Sequence, residues 1–250
     1  MSTVLETRAL AKRFGGLVAT NDVSFRLEVG ARQALIGPNG AGKTTFINLL
    51  TGVLPPSSGQ VLLLGEDVTK LKPESRVRRG LVRTFQINQL FGELTPLETL
   101  ALAVGERLGQ GRDRRCPSGA SAAVADEVMS VAARFGLVDV LERRTDTLPY
   151  GKQRLLEIAA AFACAPKVLL LDEPAAGVPE AERRDILDAI AILPDEVAVL
   201  LIEHDMDLVF SFAKRISVLV DGALLVEGAP GAIADDPRVR AVYLGERSNG

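Results

Sequence analysis

The 250-residue sequence contains no tryptophan, and aromatic residues make up only 4% of it. Apolar residues nevertheless account for 47%, so any core must be built from aliphatic side chains. Such a composition favours parallel strands buried on both faces, because these strands are rich in valine, isoleucine and leucine. The length suits one large domain, or a domain with a subdomain.

Cysteine and long apolar runs are also scarce. Cys116 and Cys164 are the only cysteines, and they lie far apart, which does not indicate a disulfide framework and fits a reducing cytoplasm. No apolar run approaches the roughly 18 residues that a membrane span needs. Residues 1–6 contain neither the basic segment nor the apolar segment of a signal peptide, so we expect no secretory signal.

An excess of positive charge is absent too. Lys and Arg total 29 against 32 Asp and Glu, which gives a formal net charge of −3. A nucleic-acid-binding protein that depends on a basic surface has the opposite balance. We therefore expect no nucleic-acid partner.

A full match to the phosphate-binding pattern G-x-x-x-x-G-K-[ST] spans Gly37 to Thr44. The preceding residues, 32–36, predict a short strand. The following residues, 45–50, have helical spacing that Gly52 can end. A strand, a glycine loop and a helix in this order are the context that the motif requires, because the loop N–H groups hold phosphate at the positive end of the helix.

Individual residues of this loop have predicted roles. Lys43 can reach the β and γ phosphates of a nucleotide, and the Thr44 hydroxyl can ligate Mg²⁺. The predicted nucleotide-binding residues of the segment are Gly37, Pro38, Asn39, Gly40, Ala41, Gly42, Lys43, Thr44 and Thr45.

Two acids follow an uninterrupted apolar run. Residues 168–171 predict a central strand, and Asp172 and Glu173 come directly after them. Ligands of open parallel sheets bind at the carboxyl ends of the strands. Beside a phosphate-binding loop, Asp172 is suited to the Mg²⁺ shell and Glu173 to polarising an attacking water.

The only histidine follows another apolar run. Residues 197–202 predict a buried strand, and His204 lies two residues beyond it. A lone histidine is usually structural, but this one is predicted to lie at the same edge of the sheet as the two acids.

Helical spacing replaces the strand pattern over residues 95–165. Helices are predicted over 97–104 and 124–135, and a third one must end before Pro166. Residues 105–120 are rich in Gly, Arg and Ser and predict a flexible connection. We expect a helical subdomain here.

The remaining segments complete a predicted α/β fold. Residues 1–94 and 166–250 would form a P-loop NTPase core with a mainly parallel sheet, within a single 1–250 domain. An antiparallel part would open it, with strands over 4–10 and 23–27 around a turn at Gly15. Further predictions are strands over 61–64, 82–85, 216–220 and 224–226, and helices over 73–79 and 238–244. A basic cluster of Arg76, Arg78, Arg79 and Arg83 is predicted to form a solvated face, with a ligand site as the alternative.

Five short stretches accompany the phosphate-binding loop. They are KRFGG at 12–16, RTFQ at 83–86, LDEPAAG at 171–177, IEHDM at 202–206 and VYLGE at 242–246. Together they resemble the ATP-binding cassette subunits of ABC transporters, over about residues 4–246. The resemblance is strongest to the larger ATPase subunit of bacterial branched-chain amino acid importers.

The resemblance implies roles for four residues, with ATP and Mg²⁺ as cofactors. Phe14 would stack on the adenine ring. Gln86 would sense Mg²⁺ and contact the membrane subunit. Glu173 would be the general base, and His204 would contact the γ-phosphate as a switch.

One motif departs from the family pattern. Where L-S-[GY]-G-Q is usual, the chain has Leu148, Pro149, Tyr150, Gly151 and Lys152. The resemblance implies that this signature motif contacts ATP bound to a second cassette. Pro149 removes a hydroxyl and a backbone N–H from it, whereas Gly151 keeps the close approach and Lys152 adds a cation. The half of the site that the chain would donate to a partner is therefore altered.

The resemblance also implies partners and a location. The chain would be a transport ATPase on the cytoplasmic face of the inner membrane, bound peripherally to permease subunits and working indirectly with an extracytoplasmic solute-binding protein. One phosphate-binding loop and no internal repeat imply a second ATPase subunit, in a homodimer or a heterodimer.

Two other classes remain as alternatives. A soluble P-loop kinase or GTPase would leave Gln86, His204 and the 148–152 motif unexplained, and the chain lacks the base-reading pattern N-K-x-D. A non-transport ABC ATPase usually needs a long coiled-coil insertion or two fused cassettes, and the sequence has neither.

Overall fold

The computed structural model describes residues 2–84, 90–109 and 122–245, which form an α/β fold as predicted. The strands are β1 (Thr3–Phe14), β2 (Leu17–Val23), β3 (Arg26–Glu28), β4 (Arg32–Ile36), β5 (Ser58–Leu63), β6 (Glu66–Asp67), β7 (Leu81–Arg83), β8 (Val168–Asp172), β9 (Ala198–Ile202), β10 (Arg215–Val220) and β11 (Ala223–Gly228). The helices are α1 (Lys43–Thr51), α2 (Pro73–Val77), α3 (Pro96–Arg107), α4 (Ala122–Arg134), α5 (Tyr150–Ala163), α6 (Glu180–Ala191), α7 (Met206–Phe212), α8 (Pro230–Asp235) and α9 (Pro237–Gly245).

An antiparallel sheet opens the fold, as predicted. Its order is β2-β1-β5-β6, and β3 also pairs with β1. Residues 23–27 do not form the single predicted strand, because β2 ends at Val23 and β3 begins only at Arg26. At the break, Phe25 packs edge-on against Phe46 of α1, with ring centroids 5.7 Å apart. The Ser24 hydroxyl accepts a hydrogen bond from the Ala9 N–H at 3.0 Å, in place of a ladder carbonyl.

A six-stranded sheet forms the centre in the order β11-β10-β4-β9-β8-β7, and every neighbouring pair is parallel except the β10–β11 hairpin. Leu169 and Leu171 of β8 pack on the helical layer, whereas Val168 and Leu170 pack toward α1 and the antiparallel sheet. The period of two thus places an apolar side chain on each face. The carboxyl ends of β4, β9 and β8 meet at one edge of the sheet.

Helices α3, α4, α5 and α6 share one apolar cluster with the outer face of the sheet. The helices predicted over 97–104 and 124–135 are contained in α3 and, but for Phe135, in α4. Helices α6, α7 and α8 lie where the pattern predicts none. No helix within the described ranges is long and apolar enough to cross a membrane.

The four arginines predicted to form a solvated face differ in their surroundings. Arg78 and Arg79 are exposed, as predicted. Arg76 is buried and the Arg83 side chain is only 9% exposed, so the prediction is wrong for these two. Arg83 pairs with Asp172, as described below.

Arg76 closes the carboxyl end of α1. Its guanidinium donates to the carbonyl oxygens of Leu49 and Leu50 in the last turn of that helix, and to those of Thr69 and Leu71. The last carbonyls of a helix have no partner within the helix, and one guanidinium carries five donors. Burial lowers the pKa of Arg76 to about 10, so the group stays charged at neutral pH.

Replacing this cap should destabilise the protein. We expect Arg76→Leu to lower the free energy of unfolding by about 2–3 kcal/mol, because buried carbonyl groups lose their donors. Chemical denaturation monitored by circular dichroism measures the change. Arg79→Leu is the matched control at an exposed position, where about 0.5 kcal/mol or less is expected; equal effects of the two substitutions would contradict the assignment.

Candidate ATP-binding and hydrolysis site

The phosphate-binding loop joins β4 to α1 and is tightly packed from behind. Gly42, the N-cap of α1, has a φ of 95°, a backbone that side-chain-bearing residues rarely adopt. A Cβ at this position would lie 2.4 Å from the carbonyl oxygen of Ala19. Conformation and space therefore both require glycine where the loop turns into the helix.

Lys43 begins α1, and its ammonium group lies over the loop. Nζ donates to the carbonyl oxygen of Gly37 and, at 3.0 Å, to that of Pro38. These contacts hold the cation at the glycine loop, a kind of loop whose N–H groups are suited to binding phosphate.

A cleft of about 530 Å³ extends from this loop toward the end of β8. Its lining includes residues 39–45, Phe14 and Leu17 of the first hairpin, and Glu173. The volume lies within the usual range for small-molecule sites, roughly 300–1,000 Å³. One cleft thus contains the predicted adenine contact, the predicted phosphate contacts and the predicted base.

Phe14 ends β1 and is 48% exposed at the cleft. Lys12 Nζ lies 5.2 Å from the centroid of the phenyl ring. A half-exposed ring is accessible to a ligand, unlike an aromatic residue packed in the core. This position suits stacking on a flat base.

Removing the ring should weaken binding of ATP and GTP to a similar extent. We expect Phe14→Ala to cost roughly 1–3 kcal/mol for each, if base–aromatic stacking has its usual strength, because stacking does not read the edge of the base. Fluorescence titration with both nucleotides measures it. Phe91→Ala, an exposed aromatic outside the cleft, is the control, and unchanged affinity for Phe14→Ala would remove this residue from the site.

The two acids at the end of β8 lie in different surroundings. The Asp172 side chain is 8% exposed, and Oδ2 lies 2.6 Å from Nη2 of Arg83. Glu173 faces the cleft and has a φ of 48°, a strained value for a residue with a side chain. Its N–H donates to the carbonyl oxygen of Ile202 at 2.9 Å, which ties this turn to β9.

His204 lies beside Glu173, as the sheet order predicts. Its Nδ1 is 3.6 Å from Glu173 Oε1, and its side chain is 68% exposed. The neighbouring Glu203 is buried, which raises the pKa of its carboxyl group. Glu203 accepts hydrogen bonds from the backbone N–H groups of Ala175 and His204, at 3.4 and 3.2 Å, and so joins the turn after Glu173 to His204.

Glu203 has no role in the sequence prediction. The sequence signal that could have identified Glu203 is its position between a predicted buried strand and the only histidine. A carboxylate that is buried there needs hydrogen-bond donors from the surrounding residues.

The signature residues lie at the start of α5, apart from this cleft. Leu148 is buried and Tyr150 is partly exposed. Pro149 is the N-cap and supplies no side-chain cap. The N–H of Gly151 donates instead to Oε2 of Glu182, from α6, at 2.9 Å.

The cation of the signature motif faces the segment after α4. Lys152 Nζ donates to the carbonyl oxygen of Gly136 at 2.5 Å and to Oδ1 of Asp139 at 3.2 Å. The ammonium group of Lys152 therefore has hydrogen-bond partners within its own chain.

Gln86 lies outside the described residues, and its role stays a prediction. Thr44 and Asp172 offer a hydroxyl and a carboxylate, which are the oxygen ligands that Mg²⁺ prefers. Magnesium in nucleotide sites is usually held by one or two protein oxygens together with phosphates and water. The chemistry of this donor set therefore fits Mg²⁺.

Comparison with known families gives two matches. A family model described as ABC transporter matches residues 20–176, more than half of the chain. A model described as branched-chain amino acid ATP-binding cassette transporter matches residues 223–248.

Similar proteins align along nearly the whole chain. The high-affinity branched-chain amino acid transport ATP-binding protein BraF of Pseudomonas aeruginosa is 42% identical, and the corresponding protein LivG of Escherichia coli K12 is 40% identical. Both alignments cover 97% of this chain and 98% of the relative.

Solved structures agree with the fold. A nucleotide-free ATP-binding cassette from an ABC transporter superposes with a TM-score of 0.84 at 30% identity, covering 97% of this chain and 99% of that one. The ADP conformation of an ATP-binding cassette gives 0.85 at 30% identity, with coverage of 98% and 100%. The chain therefore belongs to the ATP-binding cassettes of ABC transporters, within the branched-chain amino acid family.

Proposed function

We propose that this chain is the ATP-binding and ATP-hydrolysing subunit of an importer for branched-chain or other hydrophobic amino acids. The observation that carries the proposal is the cleft in which the phosphate-binding loop faces Glu173. Relatives with 40–42% identity are named as branched-chain amino acid transport ATP-binding proteins. Those names do not favour a kinase, a GTPase or a non-transport ATPase.

Hydrolysis would use the residues around this cleft. The loop N–H groups and Lys43 bind the phosphates, and Thr44, Asp172 and Gln86 would hold Mg²⁺, which when bound supplies positive charge to the β and γ oxygens. Glu173 accepts a hydrogen bond from the attacking water and orients it. His204, 3.6 Å from Glu173, would contact the γ-phosphate.

A complete site would need a second cassette. The signature residues lie apart from the cleft in the same chain, which supports a head-to-tail pair where each chain offers its signature motif to the ATP of the other. In this arrangement residues 1–94 and 166–250 form the nucleotide-binding core, and residues 95–165 form the helical subdomain.

The permease would bind beside the segment that contains Gln86. An apolar groove of about 380 Å³ has Val53, Val77, Leu90 and Ala160 among its lining residues. Val53 and Val77 are exposed, and Leu90 follows Gln86 by four residues in the sequence. An apolar cytoplasmic segment of the permease fits this groove, which would place the chain peripherally at the cytoplasmic face of the inner membrane.

Lipid alone should not recruit the protein. We expect no sedimentation with vesicles of anionic phospholipid, because the net charge is −3 and anionic surfaces attract basic segments. Vesicles that contain the permease are the positive control. Tight binding to lipid without permease would contradict recruitment by protein contacts.

Reconstitution tests the proposed function as a whole. The chain, its permease and its second cassette are assembled in proteoliposomes with the solute-binding protein enclosed, and ATP hydrolysis is followed outside. We expect hydrolysis to rise when leucine, isoleucine or valine is enclosed with the binding protein. An ATPase that never copurifies with a permease would support a non-transport role instead.

A further inference from the structure

Arg83 forms a bridge between two elements of the site. It is the last residue of β7, and its side chain is 9% exposed. Nη2 contacts Oδ2 of Asp172 and Nη1 contacts Oδ1 of Asn48, both at 2.6 Å. One planar guanidinium therefore holds a carboxylate on one arm and an amide oxygen on the other.

The bridge connects the elements that carry Thr44 and Asp172, the two residues proposed to hold Mg²⁺. Asn48 lies one turn after Thr44 on α1, and residues four apart share a face of a helix. Asp172 ends β8. The Asp172 carboxylate contacts Arg83 through Oδ2, and within the described parts of the chain Oδ1 accepts no hydrogen bond.

We propose that Arg83 is a positioning residue for the metal site: it holds Asp172 through Oδ2, leaves Oδ1 for the cation, and ties this carboxylate to the helix of Thr44 through Asn48. This inference rests on the proposed function, because it assigns Thr44 and Asp172 to Mg²⁺. Outer partners of ligating carboxylates fix the orientation of the ligand.

Arg83 has two opposing effects on Mg²⁺ binding. The direction in which the contribution of Mg²⁺ changes when Arg83 is removed therefore shows which effect dominates. A fixed positive charge beside Asp172 weakens the attraction of the carboxylate for a cation. Orientation strengthens it, because a nearly buried carboxylate that has lost its partner can turn away from the cation. If positioning dominates, removing Arg83 weakens the contribution of Mg²⁺; if charge dominates, removal strengthens it.

The test measures how much Mg²⁺ improves nucleotide affinity. Dissociation constants of a fluorescent ATP analogue are determined with EDTA and with excess Mg²⁺, and their ratio is the readout. We expect Arg83→Met to reduce this ratio about tenfold, the lower end of the usual loss for outer-shell changes. Asn48→Ala, which keeps the ion pair, should reduce it less, and Arg83→Lys should fall between these two.

A double-mutant cycle shows whether Arg83 acts through Asp172. Asp172→Asn alone should reduce the ratio, and adding Arg83→Met should reduce it no further, because coupled residues are not additive. Arg79→Met, an exposed arginine in the same region, should leave it unchanged. Thermal unfolding identifies variants that do not fold; Arg83→Lys and Asn48→Ala then carry the test.

Different results overturn different statements. Equal losses of affinity with and without Mg²⁺ mean a purely structural Arg83, and a raised ratio means that charge dominates; either outcome overturns the positioning role while Asp172→Asn still loses the Mg²⁺ effect. If the ratio for the unaltered protein is one, the proposed metal site fails, and the role of Arg83 fails with it.

Discussion

Glu173→Gln is expected to abolish most ATP hydrolysis by a complex of this chain with a second, unlike cassette. Glutamine keeps the size of the side chain but loses the charge that polarises the attacking water. Losing a general base typically costs about 10²- to 10⁴-fold in rate. Steady-state phosphate release at saturating ATP and Mg²⁺ measures the loss.

The size of this effect depends on the asymmetry that we propose between the two sites of the complex. In the proposed pair, ATP at this chain's own loop would have Lys43, Glu173 and His204 at hand and would meet an ordinary signature motif from the partner. ATP at the partner's loop would meet Pro149, which offers no hydroxyl, and the N–H of Gly151, which already donates to Glu182. Each lost contact to a charged phosphate is worth about 1.5–3 kcal/mol, so turnover there should be at least about tenfold slower.

Two further variants test the asymmetry. The substitution in the partner that matches Glu173→Gln should cost much less activity, because that site contributes little turnover. Pro149→Ser should raise the low ATPase activity of the isolated chain, which pairs only with itself. If Glu173→Gln leaves most turnover of the complex intact, the active site of the pair is the other one.

Lys43→Ala should remove most of the affinity for ATP. The ammonium group can contact both the β and γ phosphates, and two charge-assisted hydrogen bonds at about 1.5–3 kcal/mol each give a loss of roughly 3–6 kcal/mol. Lys43 already lies over the loop through the carbonyl groups of Gly37 and Pro38, so little side-chain ordering offsets the gain on binding. Isothermal titration calorimetry with Mg-ATP measures the change.

Lys152→Ala is the matched control for this loss. Lys152 contacts Gly136 and Asp139 and lies outside the chain's own cleft. The isolated Lys152→Ala variant should therefore bind ATP as the unaltered chain does. Equal affinities for the Lys43 and Lys152 variants would place the phosphates somewhere other than this loop.

The site elements could be predicted because their chemistry is local. The glycine loop before Lys43 and the acids after β8 occupy consecutive residues, and each follows a strand with an uninterrupted apolar run. The shared edge then follows from the parallel order β4-β9-β8. The sequence therefore predicted that Glu173 and His204 both lie at the carboxyl ends of strands, but not that they are neighbours separated by 3.6 Å.

Arg76 and Arg83 could not be predicted because their partners are distant in sequence. A run of arginines predicts a solvated face when no partner is known. Arg76 bonds to Leu49, 27 residues away, and Arg83 to Asp172, 89 residues away. Only the tertiary fold brings these acceptors within reach.

Helix α6 was missed for a different reason. It buries only Ile186, Ala189 and Ile190, so its apolar face is too sparse to show helical periodicity over a full window. The interruption between β2 and β3 was not predicted either, because an apolar stretch does not reveal where a chain stops pairing with one strand and begins to pair with another. The role of Gln86 stays a prediction, and so do the functions assigned to the other site residues.

The backbone conformation at Glu173 is less stable with a side chain than with glycine, although the proposed activity requires the side chain. Holding a residue with a side chain at a φ of 48° costs of order 1–3 kcal/mol, and glycine would adopt the same turn without that strain. On backbone strain alone, the more stable residue at this position is therefore glycine, which lacks the carboxylate. Glycine would relieve the strain but would also remove the carboxylate that is proposed to act as the general base.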